Sequence, residues 1–188
     1  MRQMNQYRPE TVGRAEGDVL EIGFGTALNL RFYTEAVKSL AGVDPLEGLP
    51  PRVQARIAAA PFPVTHHALR ADGELPFDAG RFDSVVFTWT LCSIPEPERA
   101  LLELRRVLKP QGRMFFVEHG RSENPATARW QDRLNPLWVR ITDGCNMNRP
   151  VAELVRRGGF ELTGLEHFRG RGPRILAEMY RGIAQRAG

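Results

Sequence analysis

The chain is expected to adopt an α/β fold: a Rossmann-like, doubly wound, mainly parallel seven-stranded sheet with an antiparallel C-terminal strand. Three observations carry this expectation. The run Asp18-Val19-Leu20-Glu21-Ile22 enters the glycine turn Gly23-Phe24-Gly25, as a buried strand does where it meets a tight turn. Asp44 follows Gly23 by 21 residues and closes a second apolar run, Leu40 to Val43. That is the separation at which a β-α-β unit offers a carboxylate to a ribose hydroxyl pair. Strand-like and helix-like segments then alternate to the C terminus, the rhythm of right-handed crossovers and a mainly parallel sheet.

Each element has its own signal. Leu28 to Val37 is read as a short helix, and Leu40 to Val43 as the second strand. Arg52 to Ala60 is helix-prone between Pro50-Pro51 and Pro61, which punctuate both ends. Val64 to Leu69 is the candidate third strand, followed by the polar turn Ala71 to Glu74. Phe82 to Thr88 is β-branched and aromatic, as a central strand should be. Pro97 opens the clearest helix, with Ala100, Leu101, Leu104, Val107 and Leu108 at helical spacing. Lys109-Pro110-Gln111-Gly112 stops it, and Arg113 to Glu118 is the fifth strand. A helix over 150–157 and the runs 160–165 and 175–184 complete the chain, the last two as a closing strand pair.

Composition narrows the class. At 188 residues the chain is read as one domain, 1–188, with a short N-terminal segment over 1–17 and an acceptor-side insertion or cap over 121–149. Basic residues outnumber acidic ones 26 to 22, and only Lys38 and Lys109 are lysines. Arginines scattered along the whole chain form no basic run with interleaved aromatics, so no nucleic-acid partner is expected. The net charge of +4 favours anionic substrates or a membrane surface only weakly. Cys92 and Cys145 are too few and too far apart for a disulfide framework or a structural zinc site, and His66 and His67 lack a partner at metal spacing. No metal is expected. No signal peptide and no apolar run of membrane-spanning length is visible, so a cytoplasmic location is the default.

Four segments in order sharpen the reading: Gly23-Phe24-Gly25, Asp44, Asp72-Gly73-Glu74-Leu75-Pro76-Phe77 and Leu108-Lys109-Pro110-Gln111-Gly112. Together they resemble the class I S-adenosylmethionine-dependent methyltransferases, from Val19 to the end. The resemblance implies S-adenosylmethionine as cofactor and S-adenosylhomocysteine as product. It places the methionine part of the donor over Gly23 and Gly25, the ribose on Asp44 and the adenine at Asp72-Gly73, with Glu21 and Thr88 beside them. The chemistry agrees. A pyrophosphate cofactor wants three spaced glycines at a helix N terminus, whereas here Ala27 stands in the third place. An acidic first strand suits a ligand that carries an ammonium group and no phosphate.

Further segments suggest a branch. Thr90-Leu91-Cys92-Ser93, Phe116-Val117-Glu118-His119, Trp130 to Trp138 and Asp143-Gly144-Cys145-Asn146 resemble small-thiol S-methyltransferases, near the ubiquinone-biosynthesis and phospholipid N-methyltransferases. Those relatives carry an N-terminal anchor; here 17 residues precede Asp18, and a short or absent N-terminal lid is expected. The leading acceptor is a small thiol or sulfide. The alternatives are a phospholipid amine, a quinone-like ring, or a donor-binding module without catalysis. The motifs set no oligomeric state. His119 is the candidate base for the acceptor, against a structural hydrogen bond. Cys92, following the fourth strand, faces the transfer or merely packs. Trp130 and Trp138 line one helix face if Pro136 leaves the helix intact, and either hold a cation or pack. Cys145 and Asn146 touch substrate or fill space.

Overall fold

A computed structural model describes residues 2–142 and 144–188; Asp143, part of the last of these motifs, lies outside them. Seven strands form one sheet in the order β3-β2-β1-β4-β5-β7-β6. They are β1 (Gly17–Ile22), β2 (Val37–Asp44), β3 (Val64–Ala68), β4 (Phe82–Thr88), β5 (Leu108–His119), β6 (Phe160–Arg169) and β7 (Glu178–Arg186). The first five pair in parallel. β7 runs antiparallel to both its neighbours, β5 and β6. The expected sheet, with its one reversed strand, is therefore the observed one.

Alternation along the strands splits the core into two layers. Leu20, Val85, Phe87, Met114 and Phe116 face α3 (Pro97–Val107) and α5 (Val151–Arg157). Val19, Val86 and Phe115 face Val12 of α1 (Pro9–Val12) and Val53 of α2 (Pro51–Ala58). Successive side chains of a strand point to opposite faces, so central strands covered on both sides read as unbroken apolar runs. The order of the chain reverses between β1 and β4, and the carboxyl ends of these two strands border the crevice where open α/β sheets bind ligands.

Two boundaries depart from expectation. Between Leu28 and Val37 only Leu30–Phe32 is helical, a single 3-10 turn. Asn29 and Tyr33 turn inward to a buried carboxylate instead, and β2 already begins at Val37. β5 also starts early, at Leu108, because Leu108 pairs with Phe82 before a register shift restores the ladder at Ser84 and Arg113. The remaining long helix, α4 (Pro125–Ile141), runs through Pro136. Asn124 caps it by accepting from the N–H groups of Ala126 and Thr127.

The N-terminal segment is not an empty stub. Arg2–Tyr7 forms a 3-10 helix leading into α1, and Met4 and Tyr7 reach the same cavity as His119. No helix among the described residues is long and apolar enough to cross a membrane.

Candidate active site

The glycine turn is built from left-handed backbone. Gly23, Gly25 and Ala27 have φ of 74°, 49° and 55°, a region an L residue enters at a cost of about 1–2 kcal/mol. Ala27 therefore keeps the turn despite its Cβ. Gly23 has a second constraint, since a Cβ there would come within 2.1 Å of Thr90 Oγ1. The turn after β4 thus lies directly against the turn after β1. Asp44, at the end of β2, accepts from Gly25 N (2.9 Å) through Oδ2 and from Leu46 N (3.0 Å) through Oδ1. Each oxygen keeps acceptor capacity for a hydroxyl.

Glu21 is 1% exposed. Its oxygens accept from Asn29 Nδ2 (3.0 Å) and the Tyr33 hydroxyl (2.7 Å). Burial lifts its pKa to about 7, against the pull of those hydrogen bonds and of Arg8. Arg8 reaches in from the N-terminal segment, donating to Asn29 Oδ1 and, at 2.8 Å, to Thr88 Oγ1. Its guanidinium lies 4.9 Å from the Trp89 ring centroid. Trp89 itself is left-handed, with φ of 52°, and strained backbone of this kind clusters at functional sites. Arg8 Nε and Trp89 Nε1 are both buried with no hydrogen-bond partner among the described residues.

Asp72 is fully engaged within the protein. It pairs with Arg70 Nε and Nη2 at 3.0 and 2.8 Å and accepts from Glu96 N. The carboxylate thereby ties the Asp72-Gly73 loop to the entrance of α3.

On the other side of the β1–β4 crevice, three residues far apart in sequence converge. His119 Nε2 lies 3.6 Å from Cys92 Sγ and 3.2 Å from Cys145 Sγ. Cys92 is held rigidly. Glu118, fully buried in β5, accepts from the backbone N–H groups of Thr90, Leu91 and Cys92. Arg149 donates to Leu91 O (2.6 Å), and Asn146 donates through both N and Nδ2 to Cys92 O. Asn146 Oδ1 also accepts from Asn135, so the amide fastens the loop to the Cys92 turn through its nitrogen and to α4 through its oxygen. The hydrogen bond with Cys92 and the neighbouring His119 pull the Cys145 thiol below the ordinary thiol range, against burial. The same pairing, with burial, pushes Cys92 up. Burial opposes protonation of His119, but its contact with Cys145 outweighs it and raises the imidazole pKa.

A cavity of about 220 Å³ opens beside the cluster, lined by Met4, Tyr7, His119, Trp138, Arg171, Leu176 and Met179. Trp138 Nε1 is buried with no partner in hydrogen-bond geometry among the described residues, yet close enough to Cys145 to favour its thiolate. Trp130 does not join it. That residue is 55% exposed, with Arg133 stacked 5.8 Å from its ring, so the expected tryptophan pair separates into one cavity residue and one surface residue. His66 and His67 pack against Phe24 and Phe77, away from the cluster.

Sequence reasoning passed over Arg8, Asn29, Tyr33 and Arg149, and gave Glu118 no role. For Glu118 a signal existed. It is a carboxylate inside the apolar run Phe115-Phe116-Val117, the same anomaly that singled out Glu21, and such a group is costly to bury without partners.

Residues 20–116 match the family described as "Methyltransferase domain". The chain belongs to this methyltransferase family. It is 33% identical over 152 residues to a thiol S-methyltransferase of Homo sapiens, a match covering 79% of this chain and 62% of that protein. It is 32% identical over 114 residues to a phosphatidylethanolamine N-methyltransferase of Cereibacter sphaeroides, covering 60% of this chain and 56% of that one. The chain thus spans less than two thirds of these relatives. Its fold is that of the Burkholderia thailandensis 1,6-didemethyltoxoflavin N1-methyltransferase solved with S-adenosylhomocysteine, with a TM-score of 0.69 at 19% identity over all of this chain and 78% of that one.

The residues around the glycine turn of this chain fit the donor of such enzymes. Two carboxylates, Glu21 and Asp44, flank the glycine turn, close enough for Asp44 to raise the Glu21 pKa. Such a pair repels a phosphate and suits a ligand with an ammonium, a sulfonium and a diol. Asp44 would hold the diol, Glu21 the ammonium side, and the Gly23–Gly25 backbone the methionine chain.

Proposed function

We propose that this chain transfers the methyl group of S-adenosylmethionine to a small thiol or sulfide. Bound S-adenosylmethionine supplies an activated methyl on a sulfonium, so the protein has to align and desolvate the acceptor rather than create a leaving group. The single observation carrying the reading is where the Cys92–His119–Cys145 cluster sits. It lies at the carboxyl ends of β4 and β5, joined through the Thr90 turn to the glycine turn that would hold the donor, and His119 faces the cavity. The cluster is polarisable and sulfur-rich, and the acceptor sulfur has to lose its proton at this end of the cavity. The likeness to thiol S-methyltransferases points the same way. The test is an acceptor screen with labelled donor, covering sulfide, alkyl thiols, phosphatidylethanolamine and a demethylquinone. Methylation of thiols alone supports the reading; methylation of the amine or ring alone overturns it. Donor binding with no turnover on any acceptor would leave a binding module.

One observation favours a second reading, a lipid-borne acceptor. Trp130, Leu137 and Ile141 are 55%, 61% and 68% exposed on a single face of α4, flanked by Arg133 and Arg140. An apolar stripe edged by arginine is suited to an anionic bilayer surface. Co-sedimentation with phosphatidylglycerol vesicles, reduced in a Trp130→Ser/Leu137→Ser variant, would support it; no binding at low salt would reject it.

A further inference from the structure

We propose that Cys92, His119 and Cys145 form a tetrahedral binding site for a zinc-type divalent ion, with its fourth position open to the cavity. The sequence reading expected no metal, because cysteines 53 positions apart show none of the spacing by which such sites are recognised. The fold removes that objection by bringing the residues together from the β4 turn, the end of β5 and the loop after α4.

Geometry carries the inference. Zinc binds thiolate at about 2.3 Å and imidazole at about 2.0–2.1 Å, so two tetrahedral ligands of these kinds lie about 3.5 Å apart. The observed Nε2-to-Sγ separations are 3.6 and 3.2 Å, one on each side of that value. All three ligand atoms lie within 4.8 Å of one another, which leaves room for the wider sulfur–sulfur edge. Without an ion the two contacts serve as sulfur–imidazole hydrogen bonds; the same separations fit an ion at their centre.

Charge agrees with the site. Two thiolates and a neutral imidazole cancel a divalent ion, so the complex can sit in a largely buried place. The nearby charges are Glu118, whose oxygens are taken by backbone N–H groups, and the half-buried Arg149 guanidinium. Arg149 favours the anionic form that a fourth, anionic ligand would create. The supports are in place as well: Glu118, Asn146 and Arg149 fix the Cys92 turn, and ligand orientation by surrounding hydrogen bonds is what tunes such sites. Three protein ligands and one open position is the arrangement of catalytic rather than structural zinc.

The use of the fourth position rests on the thiol reading above. An acceptor R–SH would bind there as R–S⁻, forming one metal–sulfur bond, displacing a water and releasing its proton to solvent. His119 then acts as a ligand, and the ion takes over the acidifying role that the sequence assigned to the imidazole.

The test uses the full chain, reduced and stripped of metal, with neither donor nor acceptor present. Titration with Co²⁺ is expected to give one ion per chain, with the sulfur-to-cobalt charge-transfer band and the intense visible bands of a tetrahedral thiolate site. Zn²⁺ should bleach them. Cys145→Ser and His119→Gln, checked for folding by circular dichroism, should each weaken binding at least tenfold. A folded wild-type chain without the charge-transfer band, or with a band that survives both substitutions, overturns the site. Adding a small alkyl thiol to the cobalt form should shift the bands. Normal loading with no shift would reject the acceptor role while leaving the site, and would separate its failure from that of the thiol reading.

Discussion

Glu21 and Asp44 are the two carboxylates proposed to hold the donor, and they would act differently. Asp44 offers hydrogen bonds to a diol, worth about 1.5–3 kcal/mol each with a charged acceptor. Asp44→Ala is therefore expected to weaken S-adenosylmethionine binding at least roughly tenfold in calorimetry; unchanged affinity in a folded variant would reject the ribose role. Glu21 has its pKa raised by burial to about 7, from 4.5. Between those values the native chain holds a proton that the unfolded chain has lost, so unfolding free energy falls as pH rises through this window. The full effect is on the order of 3 kcal/mol. Without donor, Glu21→Gln should flatten the stability profile between about pH 4.5 and 7. Thermal melts across that range check it, and an unchanged slope would show that Glu21 is ionised throughout.

The turn after β4 and the helix α4 carry the residues proposed to meet the acceptor. Glu118 holds the turn with three backbone N–H groups. Glu118→Gln halves the acceptor oxygens and turns an amide donor toward those N–H groups. A loss of about 2 kcal/mol or more is expected in denaturant unfolding, and stability equal to wild type would mean the turn is set elsewhere. Trp138 reaches the cavity from α4. Trp138→Ala should raise the acceptor KM more than the donor KM, whereas equal effects with a lowered melting temperature would make it a packing residue. The sequence located these elements better than it located their work. α3 was legible because Ala100, Leu101, Leu104 and Val107 repeat at helical spacing. The segment after the glycine turn was misread as helix because Asn29 and Tyr33 answer a carboxylate 8 and 12 residues earlier, a tertiary demand that no local propensity records.

Across the whole molecule, the sheet was readable, and the residues proposed to hold the donor were easy to single out because each follows its strand at short range: Gly23 after β1, Asp44 ending β2, Thr88 ending β4. Cys92, His119 and Cys145 could be singled out one by one in the sequence, but not their convergence, which is assembled across the fold. His119 meets Cys92 over 27 positions and Cys145 over 26, and Arg8 crosses 80 positions to reach Thr88. Only the parallel packing of β4 beside β5, with the loop after α4 folded back over both, makes a cluster of them. The role proposed for this cluster is to ionise a thiol for methyl transfer. The direct measurement is kcat/KM of wild type and His119→Gln with labelled donor over a series of thiols of decreasing pKa. A thiol that arrives ionised needs no help, so the loss caused by the substitution is expected to shrink steadily, from about 10²–10⁴-fold for the least acidic thiol, as the series becomes more acidic. A loss of equal size across the series, or none at all, would contradict the claim.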